Sequence, residues 1–104
     1  MIEQEKQIAD KNKAIRGYII RSLVKGHHNR LLCRQLVNLM MRDAIIISPD
    51  ISGYLDYLHE KKYIEYTDEK ITSYTAYMND AMIKLTSKGV DLVEGTTNDP
   101  GVDI

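Results

Sequence analysis

Three sets of side chains in this sequence are of types that could do chemistry. The first is His27-His28 with Cys33, joined by His59 further on, and the chemistry that imidazole and thiolate offer is metal ligation. Adjacent histidines project in different directions, and no second cysteine or spaced acidic cluster completes a tetrahedral set. No metal and no other cofactor is expected. Cys33, beside Leu32, reads as a small packing residue rather than a reactive thiol. As the single cysteine it excludes an intramolecular disulfide and suits a reducing compartment. The second set is Arg30, Arg34 and Arg42, whose guanidinium groups are suited to gripping phosphate. The third is the stretch ISPDISGYLDYLHEKKYIEY, residues 47–66, which reads as a helix running into a strand. No nucleophile motif, phosphate-cradling glycine loop or paired-carboxylate arrangement stands out, so catalysis is not expected.

A chain of 104 residues is expected to form one domain, 1–104, with a modest core that needs no disulfide or structural metal. Its 43% hydrophobic and 28% charged residues are those of a globular protein. Phe and Trp are absent, so Ile, Leu, Val and Met must fill the core, with Tyr at its edges. No apolar run approaches a membrane span, and the polar start MIEQEKQIADKNK is unlike a signal peptide. A cytoplasmic protein without membrane contact is expected. Net charge is −1, yet residues 1–47 carry nine Lys/Arg against four acids and residues 48–104 carry five Lys against eleven acids. That asymmetry points to a polar or nucleic-acid contact by one half.

The elements that must position these groups follow from period and caps. Residues 1–12 form a polar N-terminal extension, either a frayed arm or a continuation of the first helix. From Lys13, the spacing of Ile15, Tyr18, Ile19, Ser22 and Leu23 predicts a helix closing near Gly26. After the loop HHN, with Asn29 as cap, RLLCRQLVNLMMR predicts a second helix that buries Leu32, Leu36 and Leu39/Met40. The run AIII, 44–47, is too short for a helix and reads as a short strand or extended turn. Ser48 then caps a third helix with Pro49 at its first position, burying Ile51, Leu55 and Leu58. Strands are expected at 63–67, 71–78 and 81–86, the last two joined by a turn at Asn79-Asp80. Thr86 caps a last helix, SKGVDLVE, which Gly95 ends, and the tail 96–104 is expected to be extended.

Helix, helix, short strand, helix, strand, hairpin, strand, helix is the winged-helix order. The expected fold is therefore α+β, a winged helix-turn-helix: a three-helix bundle with a β-hairpin wing and a short C-terminal helix. The two segments ISPDISGYLDYLHEKKYIEY and IKLTSKGVDLVEG resemble the portion of bacterial winged-helix transcriptional regulators in which a helix leads into a strand and the wing closes on leucine-threonine-x-x-glycine. With the tail VDLVEGTTNDPGVDI, the chain is also similar, over about residues 14–102, to small winged-helix proteins of Mu-like prophages. The resemblance implies a phage or prophage origin and a DNA-binding or regulatory role. It departs from DNA-reading members in its third helix, which offers no Arg, Lys, Asn or Gln outward.

With Ile51 taken as inward and 100° per residue, the outer face of that helix carries Pro49, Gly53, Asp56, Tyr57 and Glu60. Base edges are read by donors that this face lacks, and phosphate contacts dominate affinity. The leading expectation is a winged-helix DNA-binding or transcription-regulating protein whose partner is duplex DNA. It would be contacted through Arg30, Arg34, Arg42, Ser48, Ser52, Gly53, Tyr57 and Lys70. The alternative is a protein–protein module using the acidic, Tyr-bearing third-helix face, with Tyr57 as exposed anchor and Tyr74 and Tyr77 extending the patch. Tyr54 and Tyr63 are expected to cover the core edge. A homodimer through the N-terminal segment, with Ile2 and Ile8 as contacts, is compatible with either reading, as is a disordered arm.

Overall fold

Ile15, Ile19, Ile20 and Leu23 recur at helical spacing and are all at most 3% exposed. In the computed structural model, which describes residues 2–104, this stripe anchors a long helix, α1 (Glu3–Lys25). The polar extension therefore continues α1, and Glu3 and Glu5 in the first turn complement the positive helix end. A 3-10 turn at His27–Asn29 follows, with His28 and Asn29 in the left-handed region at φ 54° and 59°.

Arg30–Leu32 does not open the second helix. It forms strand β1, paired antiparallel with residues 82–84, so Asn29 caps no helix. Helix α2 (Cys33–Arg42) starts three residues late, and Leu32 offers no acceptor at its start. Its first amides are met from a distance: Cys33 N donates to the Ala81 carbonyl at 2.8 Å and Arg34 N to Asp80 Oδ1 at 3.0 Å. Leu36 and Met40 are buried as the period requires, whereas Leu39 is only half-buried.

Residues 44–47 make a turn rather than a strand, because Ile45 N bonds back to the Met40 carbonyl at 2.8 Å and Ala44 takes φ 57°. Helix α3 (Ser52–Glu60) also begins later than expected. Asp50 captures Ser52 through its backbone N at 3.1 Å and its hydroxyl at 2.7 Å, an Asx turn that competes with helix formation. Ser48 is thus not the cap. Ile51, Leu55 and Leu58 are the buried face, at 2%, 1% and 0% exposure. Each such side chain contributes about 1.5–3 kcal/mol by leaving water.

Strand β2 (Ile64–Tyr66) and strand β3 (Met82–Leu85) complete a three-stranded antiparallel sheet ordered β1-β3-β2, with Arg30 opposite Lys84 and Ile64 opposite Leu85. The expected strand at 71–78 is absent. Thr72 N donates to the Thr75 hydroxyl at 3.0 Å and Asn79 Nδ2 to the Thr75 carbonyl at 2.8 Å, folding residues 67–81 into turns that bury Ser73 and Ala76. Helix α4 (Ser87–Glu94) forms as read, with Gly89 N donating to Thr86 Oγ and Gly95 at φ 81° ending it.

The tail is not free. Val102 is 4% exposed, Asp103 N donates to the Lys13 carbonyl at 3.1 Å, and Tyr63 donates its hydroxyl proton to Asp99 Oδ2 at 2.6 Å. A Cβ on Gly17 would overlap the Asp103 carbonyl, so a glycine in mid-helix, costly in itself, is what lets the tail lie on α1. Four helices and this small sheet give an α+β fold. Among the described residues no helix is long and apolar enough to cross a membrane.

Candidate nucleic-acid interface

The outer surface of α3 is acidic and short of donors. Gly53, His59 and Glu60 are exposed, while Ser52 and Asp56 are half-exposed. Asp50, just before α3, is held below the usual carboxylate range by its two bonds from Ser52. Ser48 is exposed and accepts the Asp50 N–H at 3.4 Å. His59 stacks on Tyr66 at 5.1 Å between centroids.

Tyr57 is not the exposed anchor read from the helical wheel. It is half-buried: the Arg16 guanidinium lies 3.7 Å from its ring centroid, and Gly101 of the tail abuts its hydroxyl. The wheel marks α3's outer face correctly, but the long α1 and the docked tail cover the edge on which Tyr57 stands. Arg16 spends Nη1 on the Gly101 carbonyl at 3.1 Å, and its buried Nε has no partner. Tyr54, half-buried, and Tyr63, 5% exposed, sit at the core edge.

Arg34 is likewise committed. Its Nε donates to the Tyr77 carbonyl at 3.1 Å and its Nη2 to the Met78 carbonyl at 2.9 Å, with the Tyr77 ring 5.5 Å away. It clamps the 67–81 segment against α2, so the guanidinium fork expected on phosphate is occupied by the protein's own backbone. Lys70 is exposed on that segment, flanked by Asp68 and Glu69, and its N–H bonds to Asp68 Oδ1 at 2.9 Å. No strand forms over residues 67–81, so Tyr74 and Tyr77 stand on turns. Tyr74, Tyr77 and Met78 are 69%, 44% and 78% exposed.

Arg30 lies at the other end of the sheet. Because β3 runs antiparallel to both neighbours, the chain enters β1, enters β2 and leaves β3 at one end. That end carries exposed Lys25, His27, His28, Arg30, Lys62 and Lys88. Lys84 pairs with Glu65 at 3.7 Å and Lys61 with Asp99 at 3.9 Å. Arg42 ends α2, paired with Asp43 at 3.2 Å while its side chain stays 69% exposed. The eight candidate contacts therefore do not converge on one face. Ser48, Ser52, Gly53 and Tyr57 belong to α3 and its approach, Arg34 and Lys70 to the 67–81 segment, and Arg30 and Arg42 to neither.

Other titratable groups serve the fold. Burial pushes the Cys33 thiol up to about 11, away from nucleophilic use. His27 and His28 pack edge to face at 4.0 Å, and among the described residues no group of three His, Cys, Asp or Glu is placed to hold a metal. Burial would raise the Asp99 carboxyl, but bonds from Tyr63 and Gly101 N, with Lys61 nearby, hold it below its usual value. Burial and Asp99 push the Tyr63 hydroxyl up to about 12. Comparison with protein-family models, with curated proteins and with solved structures yields no match to this chain.

Proposed function

We propose that the chain is a winged-helix DNA-binding or transcription-regulating protein of phage or prophage type, without catalysis. The observation that carries this reading is the order α1-β1-α2-α3-β2-β3 with strands arranged β1-β3-β2. In this fold that arrangement sets a third helix beside the β2–β3 connection, where DNA is met. The acidic α3 argues against base reading by bidentate donors. Duplex DNA is therefore held through phosphates, by exposed cations such as Arg30 and Arg42. The test is affinity for a labelled duplex as salt is raised. Log K should fall linearly with log salt, and Arg30→Ala should reduce the slope by about 0.9. No binding at low salt defeats this reading.

A second reading has its own support. Tyr74 and Met78 are exposed on the 67–81 segment, which also carries exposed Asp68 and Glu69, a surface suited to a basic protein partner. If duplex DNA is not bound while Tyr74→Ala with Met78→Ala abolishes capture of a specific cellular protein, this reading replaces the first.

A further inference from the structure

We propose that the hollow between α1, β1 and α2 is a docking groove for an acidic, amphipathic segment of a partner protein. Two adjoining cavities of about 330 and 340 Å³ share Leu31, Leu39 and Arg42 in their walls, and together they form one trough. Its floor is apolar: Leu31 of β1, Leu39 of α2 and the ring of Tyr18 of α1. Its rim is cationic: Arg21 and Lys25 from α1, and Arg42 from α2.

The balance of charge at this rim favours an anionic guest. Arg21 bonds only to a backbone carbonyl, that of Asp103 at 3.1 Å, which fixes the side chain without neutralising it. Among the described residues neither Arg21 nor Lys25 has an ion-pair partner. The single carboxylate in the lining, Asp43, accepts the Tyr18 hydroxyl at 2.6 Å and Arg42 Nε at 3.2 Å. Those two bonds, with the fields of Arg42 and Lys25, hold the Asp43 carboxyl below its usual value. The Arg42 fork keeps donors to spare beyond that pair.

Shape separates the candidate anions. Tyr18 to Lys25 on α1 and Gln35 to Arg42 on α2 each span about 10 Å at 1.5 Å per residue, so the trough accepts about two helical turns. An apolar floor gains nothing from a phosphate backbone but is stabilised when an aliphatic face covers it and removes it from water. A membrane is met by projecting apolar side chains, and here they are recessed. Carboxylates three or four residues apart on a guest helix would meet the rim while its aliphatic side chains cover Leu31 and Leu39. No lining residue belongs to α3 or the 67–81 segment; Arg42 alone is shared with the phosphate contacts proposed above, so duplex and guest meet only at that residue.

The test uses the full chain, isotope-labelled, titrated with a short helix-forming Leu/Glu peptide, a Leu/Gln peptide of the same pattern, and a duplex. The Leu/Glu peptide should shift the amides of Leu31, Leu39 and Arg42, with affinity falling as salt rises. Lys25→Glu with Arg42→Glu should weaken it at least tenfold, with folding checked by the retained spectrum. Lys62→Glu with Lys88→Glu, outside the groove, should leave it unchanged. Three results overturn the proposal: shifts outside the groove or none at all; equal binding of the Leu/Gln peptide; or the duplex moving the floor amides, Leu31 and Leu39, more strongly than the Leu/Glu peptide.

Discussion

Arg34 stands in the first turn of α2 and Arg42 ends it, and the surfaces they stand on are built on opposite terms. At Arg34 the fold presents two backbone carbonyls, those of Tyr77 and Met78, and the guanidinium is spent on them. At Arg42 the fold presents one exposed carboxylate and a hollow, and most of the guanidinium faces water. Charge counted along a sequence therefore overstates the binding surface. What remains for a partner is the charge left after the fold's own acceptors have been served. Arg16 of α1 falls on the spent side as well, held by the Gly101 carbonyl and packed on the Tyr57 ring.

The contrast breaks most fully if the tail is expelled. Gly17→Ala places a methyl where the Asp103 carbonyl lies, so the tail must lift, exposing Val102 and releasing both α1 arginines. Overpacking and lost burial cost more than the helix gains from alanine. The expected loss is about 2 kcal/mol in urea denaturation. In a chain shortened by residues 96–104 the same substitution should become stabilising, since only the helix gain is left. A destabilising effect in both backgrounds would show that Gly17 is not there for the tail.

At the 67–81 segment two effects of about 1–2 kcal/mol are expected. Tyr66→Phe leaves the buried Ser73 hydroxyl without its 2.6 Å partner, and adding Ser73→Ala should recover most of the loss, because no unpaired group then remains. Arg34→Ala unclamps the segment from α2, and hydrogen exchange at Asn79–Ala81 should quicken. Arg34→Lys should not rescue it, because an ammonium lacks the planar fork that reaches two carbonyls. Full rescue by lysine would reduce Arg34 to a point charge.

A smaller effect depends on acidity. Asp99 ties the tail to Tyr63, and its carboxyl in the folded chain lies below the ordinary 3.8. A lowered folded value adds stability above pH 3.8 that disappears as pH falls through the folded value. The urea midpoint should therefore drop as pH falls below about 4, and Asp99→Asn should flatten that part of the profile. An unchanged acid limb in Asp99→Asn would remove Asp99 from the account.

Features encoded by near neighbours were legible in the sequence. Helix α4 was read from end to end because Thr86, Gly89 and Gly95 lie within it or beside it. The buried face of α3 followed from spacing alone, and that of α1 in part: Ile15, Ile19 and Leu23 are buried as read, Tyr18 and Ser22 only half-buried, and Ile20 was missed. Features decided by distant partners were not legible. Arg30–Leu32 looks helical until β3, fifty residues on, offers a ladder, and Arg34 looks free until residues 77 and 78 arrive. Tyr57 looks exposed on the wheel of its own helix because the wheel contains neither Arg16 nor Gly101. The groove between α1 and α2 was invisible for the same reason, although Arg42 stands among the candidate cations of the sequence. One local signal was available: Gly17 in mid-helix marks the close approach of another backbone.

Arg30 supplies the smallest change and the sharpest contrast with Arg34. Its side chain makes no hydrogen bond or ion pair among the described residues, and across the ladder it faces Lys84, a like charge. Like charges opposite one another are destabilising by a few tenths of a kcal/mol. Arg30→Ala should therefore leave stability unchanged or raise it by up to about 0.5 kcal/mol, read from the urea midpoint. The same variant should lose part of its salt-dependent affinity for duplex DNA. A residue whose removal helps the fold and harms binding is held for binding. A loss of stability above that margin would instead place Arg30, with Arg34, among the cations the fold consumes.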